Sequence, residues 1–184
     1  MNNLIYRALI GIGIGALLLT ACTNNVTTSS NNERYYFSLD SFFRAETIRL
    51  TQTNPTLEKT VAKDGEKETK SLKISNWENE LSSFLSSDIN KRANVGLYKV
   101  QHLDCDIIYT ALQPDLTVQK IIITENQDGQ VHAVRIEKIT NNMLYNTVEQ
   151  LVYVTDSLYA IDKKQHINLI SDNTYHVEGR FQGK

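Results

Sequence analysis

Residues 173–182 read Asn-Thr-Tyr-His-Val-Glu-Gly-Arg-Phe-Gln, and their alternation decides the fold class. In an extended chain Tyr175, Val177, Gly179 and Phe181 fall on one face, and Thr174, His176, Glu178 and Arg180 on the other. A period of two marks a strand with one side on a core and one in water. Followed back towards the N-terminus, the same period holds from Gly96 onward. Strands are expected near 97–103, 105–112, 116–125, 130–140, 143–155, 157–163, 165–170 and 173–182. Gln113-Pro114-Asp115, Gln127-Asp128-Gly129, Asn141-Asn142, Asp156-Ser157 and Asp172-Asn173 are turn signals between them. Connections this short join only antiparallel neighbours, because a parallel crossover takes a dozen or more residues. The stretches 107–112 and 121–123 are apolar on both faces and are expected at the centre of the sheet, covered on one side. Between 143 and 154 both faces are half-apolar, which suits a wide, curved sheet with a partly lined concavity.

Ahead of Gly96 the period changes. Leu39, Phe42, Phe43 and Leu50 form one stripe of a helix expected from Ser38 to about Thr53, stopped by Asn54-Pro55. Two polar strands follow, joined at Asp64-Gly65, a favoured two-residue hairpin turn. Their charged residues, from Glu58 to Lys70, leave little to bury and place the hairpin in solvent at an edge. Ser75-Asn76-Trp77-Glu78 has the form of a capping box, and Trp77, Leu81, Phe84 and Leu85 repeat at helical spacing towards Asp88–Asn90. The expected fold is α+β: two N-terminal helices and a hairpin packed on a broad, curved antiparallel sheet, a meander of about seven or eight strands.

The 184 residues carry 21 acidic and 19 basic side chains, with no basic stripe, so nucleic acid is not an expected partner. The four histidines, His102, His132, His166 and His176, lack the spacing of a metal site. No nucleophile elbow, phosphate-binding glycine loop or dinucleotide fingerprint is present. Asp104 and Asp106 lie two apart and could do acid–base work, or could simply flank a turn at a strand start. Cys105 between them reads as a small buried hydrophobe, since neighbouring carboxylates disfavour a thiolate. These readings point to a non-enzymatic chain with no cofactor and no metal. Tyrosine is the one compositional bias, nine residues against a single tryptophan. Tyr109, Tyr145 and Tyr153 on strands, with Trp77 on the second helix, could line a pocket for an apolar or amphipathic ligand. Half-buried sheet positions would account for the same rings.

The N-terminus has three parts. Met1–Arg7 is short and positively charged, Ala8–Leu19 (ALIGIGIGALLL) is apolar or glycine, and Leu19-Thr20-Ala21-Cys22 follows. This is the pattern of a secretory signal, with an apolar run shorter than the ~20 residues that span a bilayer. Leu-Thr-Ala-Cys resembles the lipobox of bacterial lipoproteins, the alternative being an ordinary signal peptide with a chance cysteine. The resemblance implies cleavage between Ala21 and Cys22, diacylglyceryl transfer to the Cys22 thiol and a firm membrane anchor. Thr23–Asn32 (TNNVTTSSNN) is polar and without period, a tether. Residue 23 is Thr and not Asp, which by the enterobacterial sorting rule favours the outer membrane, facing the periplasm.

Lipobox, tether, Phe42-Phe43, Ser75-Asn76-Trp77-Glu78 and Asp156-Ser157-Leu158-Tyr159 together resemble small uncharacterised lipoproteins of the Bacteroidota. The layout is also similar in architecture to the periplasmic lipoprotein carriers and their outer-membrane receptors. The expected organisation is a signal peptide at 1–21, a lipidated cysteine and tether at 22–33, and one domain at 34–184. The expected function is a membrane-anchored envelope lipoprotein holding a ligand between sheet and helices. The alternative is a structural or accessory subunit that docks to an envelope protein complex.

Overall fold

The computed structural model describes residues 35–168 and 172–183. The leader, Ala21, Cys22 and the tether lie outside the described residues, as do Leu169–Ser171.

Helix α1 spans Leu39–Thr53. Ser38 caps it, its side chain accepting from the Ser41 amide at 3.2 Å. Asn54 ends it in the left-handed region (φ 44°), donating its amide to the Leu50 carbonyl before Pro55. Strands β1 (Thr56–Lys63) and β2 (Glu66–Lys73) form the hairpin expected around Asp64-Gly65, both turn residues having positive φ.

The second helix departs from expectation. It divides into two single turns, α2 (Trp77–Glu80) and α3 (Ser82–Leu85), with Leu81 out of helical geometry between them. Asn76, not Ser75, is the cap, accepting from the Asn79 amide at 2.9 Å. The serines act beyond the break, at the C-terminal end of α3. Ser86 and Ser87 both bond back to the Ser83 carbonyl, and such local bonds compete with the helical ladder. A short 3₁₀ turn at Arg92–Asn94 leads into the sheet.

Strands β3 (Tyr98–Leu103), β4 (Asp106–Ala111), β5 (Val118–Glu125), β6 (Val131–Asn141), β7 (Tyr145–Val154), β8 (Leu158–Ile167) and β9 (Asp172–Phe181) form the expected antiparallel meander. The sheet is larger than expected. Among the described residues it has nine strands in the order β2-β1-β9-β8-β7-β6-β5-β4-β3. The two pieces expected at 157–163 and 165–170 are one strand, since nothing between them turns the chain and β7 pairs with it continuously from Tyr145 to Val154. The N-terminal hairpin does not merely hang on the edge. Strand β1 pairs with β9 from Leu57↔Phe181 to Lys63↔Tyr175 and so extends the sheet. Strand β4, expected at the centre, is one strand from the β3 edge.

The register lines up an apolar row, Val61–Val177–Ile161–Leu151–Ile136–Ile121–Tyr109–Val100, on one face. Leu151, Ile136, Ile121 and Tyr109 in its middle are buried, and Val61 and Val100 near its ends are exposed. Leu39, Phe43, Leu50, Trp77, Leu81 and Phe84 of the helices share this core. Because β2 and β3 are opposite edges, the segment between them, with α2 and α3, must cross this face from one side to the other.

Candidate docking surfaces

The four aromatic residues singled out from sequence do not converge. Tyr153 is fully buried in the sheet–helix layer, its ring 5.3 Å from Phe43, 6.1 Å from Phe42 and 6.1 Å from Phe84. Its hydroxyl donates to Glu46 of α1, whose carboxylate is also held by Arg49 at 2.7 Å. Burial first, then the Glu46 charge, holds that hydroxyl well above the ordinary tyrosine range. Trp77 packs against Phe181 (6.0 Å, 17°), and its buried indole N–H finds no acceptor among the described residues. Tyr109 lies edge-on to Tyr36 and accepts from the Phe37 amide. Tyr145 sits apart, half-buried, at the start of β7. Packing and helix anchoring account for three of these residues, the packing role that half-buried sheet tyrosines suggest.

A second anchor repeats the first. Tyr159 donates to Glu80 at 2.5 Å, and Lys59 reaches the same carboxylate at 2.7 Å. Each of these two contacts sets a sheet tyrosine against a helix glutamate already paired with a cation. They tie α1 and α2 to the sheet.

Asp104 and Asp106 have structural roles at the β3–β4 turn. Asp104 takes positive φ in the β3–β4 turn, and Asp106 accepts from Thr124 at 2.7 Å, which is the turn-flanking role. Cys105 is free and exposed, not buried as expected, because the same turn lifts it off the sheet. His166 and His176 each pair with one aspartate, Asp172 at 2.5 Å and Asp162 at 2.7 Å. No group of three metal-ligating side chains occurs among the described residues, and no helix among them is long and apolar enough to cross a membrane.

What stands out lies on the periphery. The two outer strands, β2 and β3, have no further strand beside them among the described residues, and they differ in character. Strand β2 (EKETKSLK) alternates charges along its exposed length, a device that discourages strand addition. Strand β3 (YKVQHL) carries one lysine and exposes Val100 and Leu103. At the β6–β7 turn, Met143 and Leu144 are 90% and 72% exposed, with Ile139 and Val148 exposed just behind them as a cross-strand pair.

The turn that carries Met143 and Leu144 is rigidly built. Asn142 Oδ1 accepts from the amides of Leu144 (2.9 Å) and Tyr145 (3.0 Å). Asn168, at the end of β8, donates its side chain to the Met143 carbonyl at 2.8 Å and its amide to the Leu144 carbonyl at 3.0 Å. The sequence places a turn at Asn141-Asn142 and Met143 and Leu144 at the start of the next strand, whereas β7 begins only at Tyr145. The turn chemistry of Asn142 was legible; that the two large apolar residues after it belong to the turn and not to the strand was not. The exposed β3 edge was missed because Val100 and Leu103 alternate like any half-buried strand. No family model, curated protein or solved structure matches this chain.

Proposed function

We propose that this chain is a lipid-anchored accessory protein of the cell envelope that works by docking an extended segment of a partner protein along β3. The observation that carries the reading is the asymmetry of the sheet edges. Strand β2 is guarded by charge, and β3 presents a backbone edge flanked by exposed Val100 and Leu103. Strand addition draws affinity from main-chain hydrogen bonds and specificity from alternate side chains, and β3 offers both. A ligand held between sheet and helices is less favoured, because Tyr153 and Trp77 are occupied by Phe43, Phe84 and Phe181. The lipobox resemblance at Cys22 supports the anchor, and composition argues against nucleic acid as the partner.

The test is site-specific photocrosslinking in cells of the native organism. A photoreactive side chain at Val100 or Leu103 is expected to give a discrete protein adduct, and one at Glu68 on β2 none. Equal labelling at both edges, or none at either, refutes the reading. A stoichiometric lipid released on denaturation of the purified protein would favour the enclosed-ligand alternative.

A further inference from the structure

We infer that the β6–β7 turn is a membrane-contacting tip, its Met143 and Leu144 side chains entering the lipid surface beside the anchor; this rests on the lipid-anchor reading above. Three observations converge on the bilayer as occupant. The first is chemistry. An apolar turn exposed to water normally keeps its backbone hydrated, and that hydration opposes transfer into lipid, where each unmet polar group is costly. Here the carbonyls of Met143 and Leu144 are both met by Asn168, and the amides of Leu144 and Tyr145 by Asn142. The turn thus presents its apolar side chains with much of its backbone hydrogen bonding already completed within the protein.

The second is position. Strands β4 and β6 end, and β3, β5 and β7 begin, at the same end of the sheet, so Leu112, itself 60% exposed, shares that end with Met143 and Leu144. The chain enters the domain there too. Tyr36 donates its hydroxyl to the Asn94 carbonyl, accepts from the Gly96 amide and packs on Tyr98, which opposes Ala111. Helix α1 then leads away, for Arg49 near its end reaches Asp156 in the opposite β7–β8 turn at 2.7 Å. Thirteen residues lead from Cys22 to Tyr35, a run that spans at most about 47 Å, so an anchor at Cys22 would hold this end within that reach of the membrane.

The third is charge. Lys138 and Lys163 near the tip both pair with Glu149, and His166 pairs with Asp172. Lys164, exposed opposite Val148, has no ion pair among the described residues, so beside the apolar tip it is a cation that an anionic headgroup can meet. Contact is therefore expected on phosphatidylcholine vesicles, and to strengthen on phosphatidylethanolamine–phosphatidylglycerol vesicles at low salt.

The experiment uses the full lipidated chain, reconstituted into vesicles of each composition. Cys105 lies in the β3–β4 turn at the far end of the sheet and is exposed, so it serves as an internal control. An environment-sensitive fluorophore is placed on Cys105, or at position 143 in a Met143→Cys, Cys105→Ser variant. Position 143 is expected to shift to the blue and to lose at least half its emission to quencher-labelled lipids, while position 105 keeps the emission of a label in water. If position 143 behaves like position 105, the tip contact is overturned. The same follows if it is shielded only when envelope proteins are present, which assigns the tip to a protein partner. The mass of the N-terminal peptide is measured on the same sample. An unmodified Cys22 overturns the anchor reading, whereas a lipidated Cys22 with position 143 in water overturns the tip contact alone.

Discussion

Gly179 shows how much one missing methyl group can decide. It sits opposite Tyr159 in the β8–β9 ladder, and a Cβ built on it would lie 2.3 Å from the Tyr159 ring. The tyrosine therefore lies across the glycine, a position from which it reaches Glu80 and ties α2 to the sheet. Gly179→Ala is expected to push the ring aside and destabilise the domain by about 1–3 kcal/mol, the usual range for overpacking. Equilibrium urea unfolding checks this. An unchanged midpoint would mean that the ring has a second seat. The alternation of residues 173–182 already placed Gly179 on the core face; that its role is to admit a ring from β8 was not legible, since it depends on register between strands.

Among the elements, the most informative is the divided helix over residues 77–85. Its apolar spacing was legible, and Trp77, Leu81 and Phe84 are all buried. Its continuity was misjudged, because apolar spacing alone does not show that Leu81 leaves helical geometry between α2 and α3. The cap gives a discriminating prediction. Asn76→Ala is expected to cost about 1 kcal/mol of stability, and Ser75→Ala a few tenths at most, as judged by thermal or urea unfolding. The reverse order would restore the capping box centred on Ser75. The meander itself was read nearly strand by strand, because each turn carries its own local chemistry. The pairing of β1 with β9 was invisible for the opposite reason, since no local signal joins Lys63 to Tyr175. The docking surfaces were likewise out of reach, because exposure is a property of the assembled sheet.

For the whole molecule, the tyrosines make stability depend on pH in a definite direction. Burial raises Tyr98 to about 12 and holds Tyr109, Tyr153 and Tyr159 above their ordinary range, Tyr159 with help from Glu80. A raised pKa means that the folded protein keeps protons which the unfolded chain, titrating near pH ~10, gives up. The contribution is complete below pH ~10 and is lost as pH rises from there through the folded values. The urea midpoint is expected to stay level up to about pH 9.5 and then fall, with phenolate absorbance from these rings appearing together with unfolding. A midpoint that holds level through pH 11 would count against the buried tyrosine layer. These four rings span β3, β4, β7 and β8, so their titration reports on one cooperative interior.

The junction of β1 with β9 also sets a timetable. A ribosome making this chain, or any channel threading it with the N-terminus leading, delivers β1 early and β9 last. Until then the first hairpin has no flanking strand, and the helices that follow it lie on an unfinished surface. The seam between β1 and β9 therefore forms last, joining a first hairpin and a β3 to β8 meander whose strands each pair with a neighbour already made.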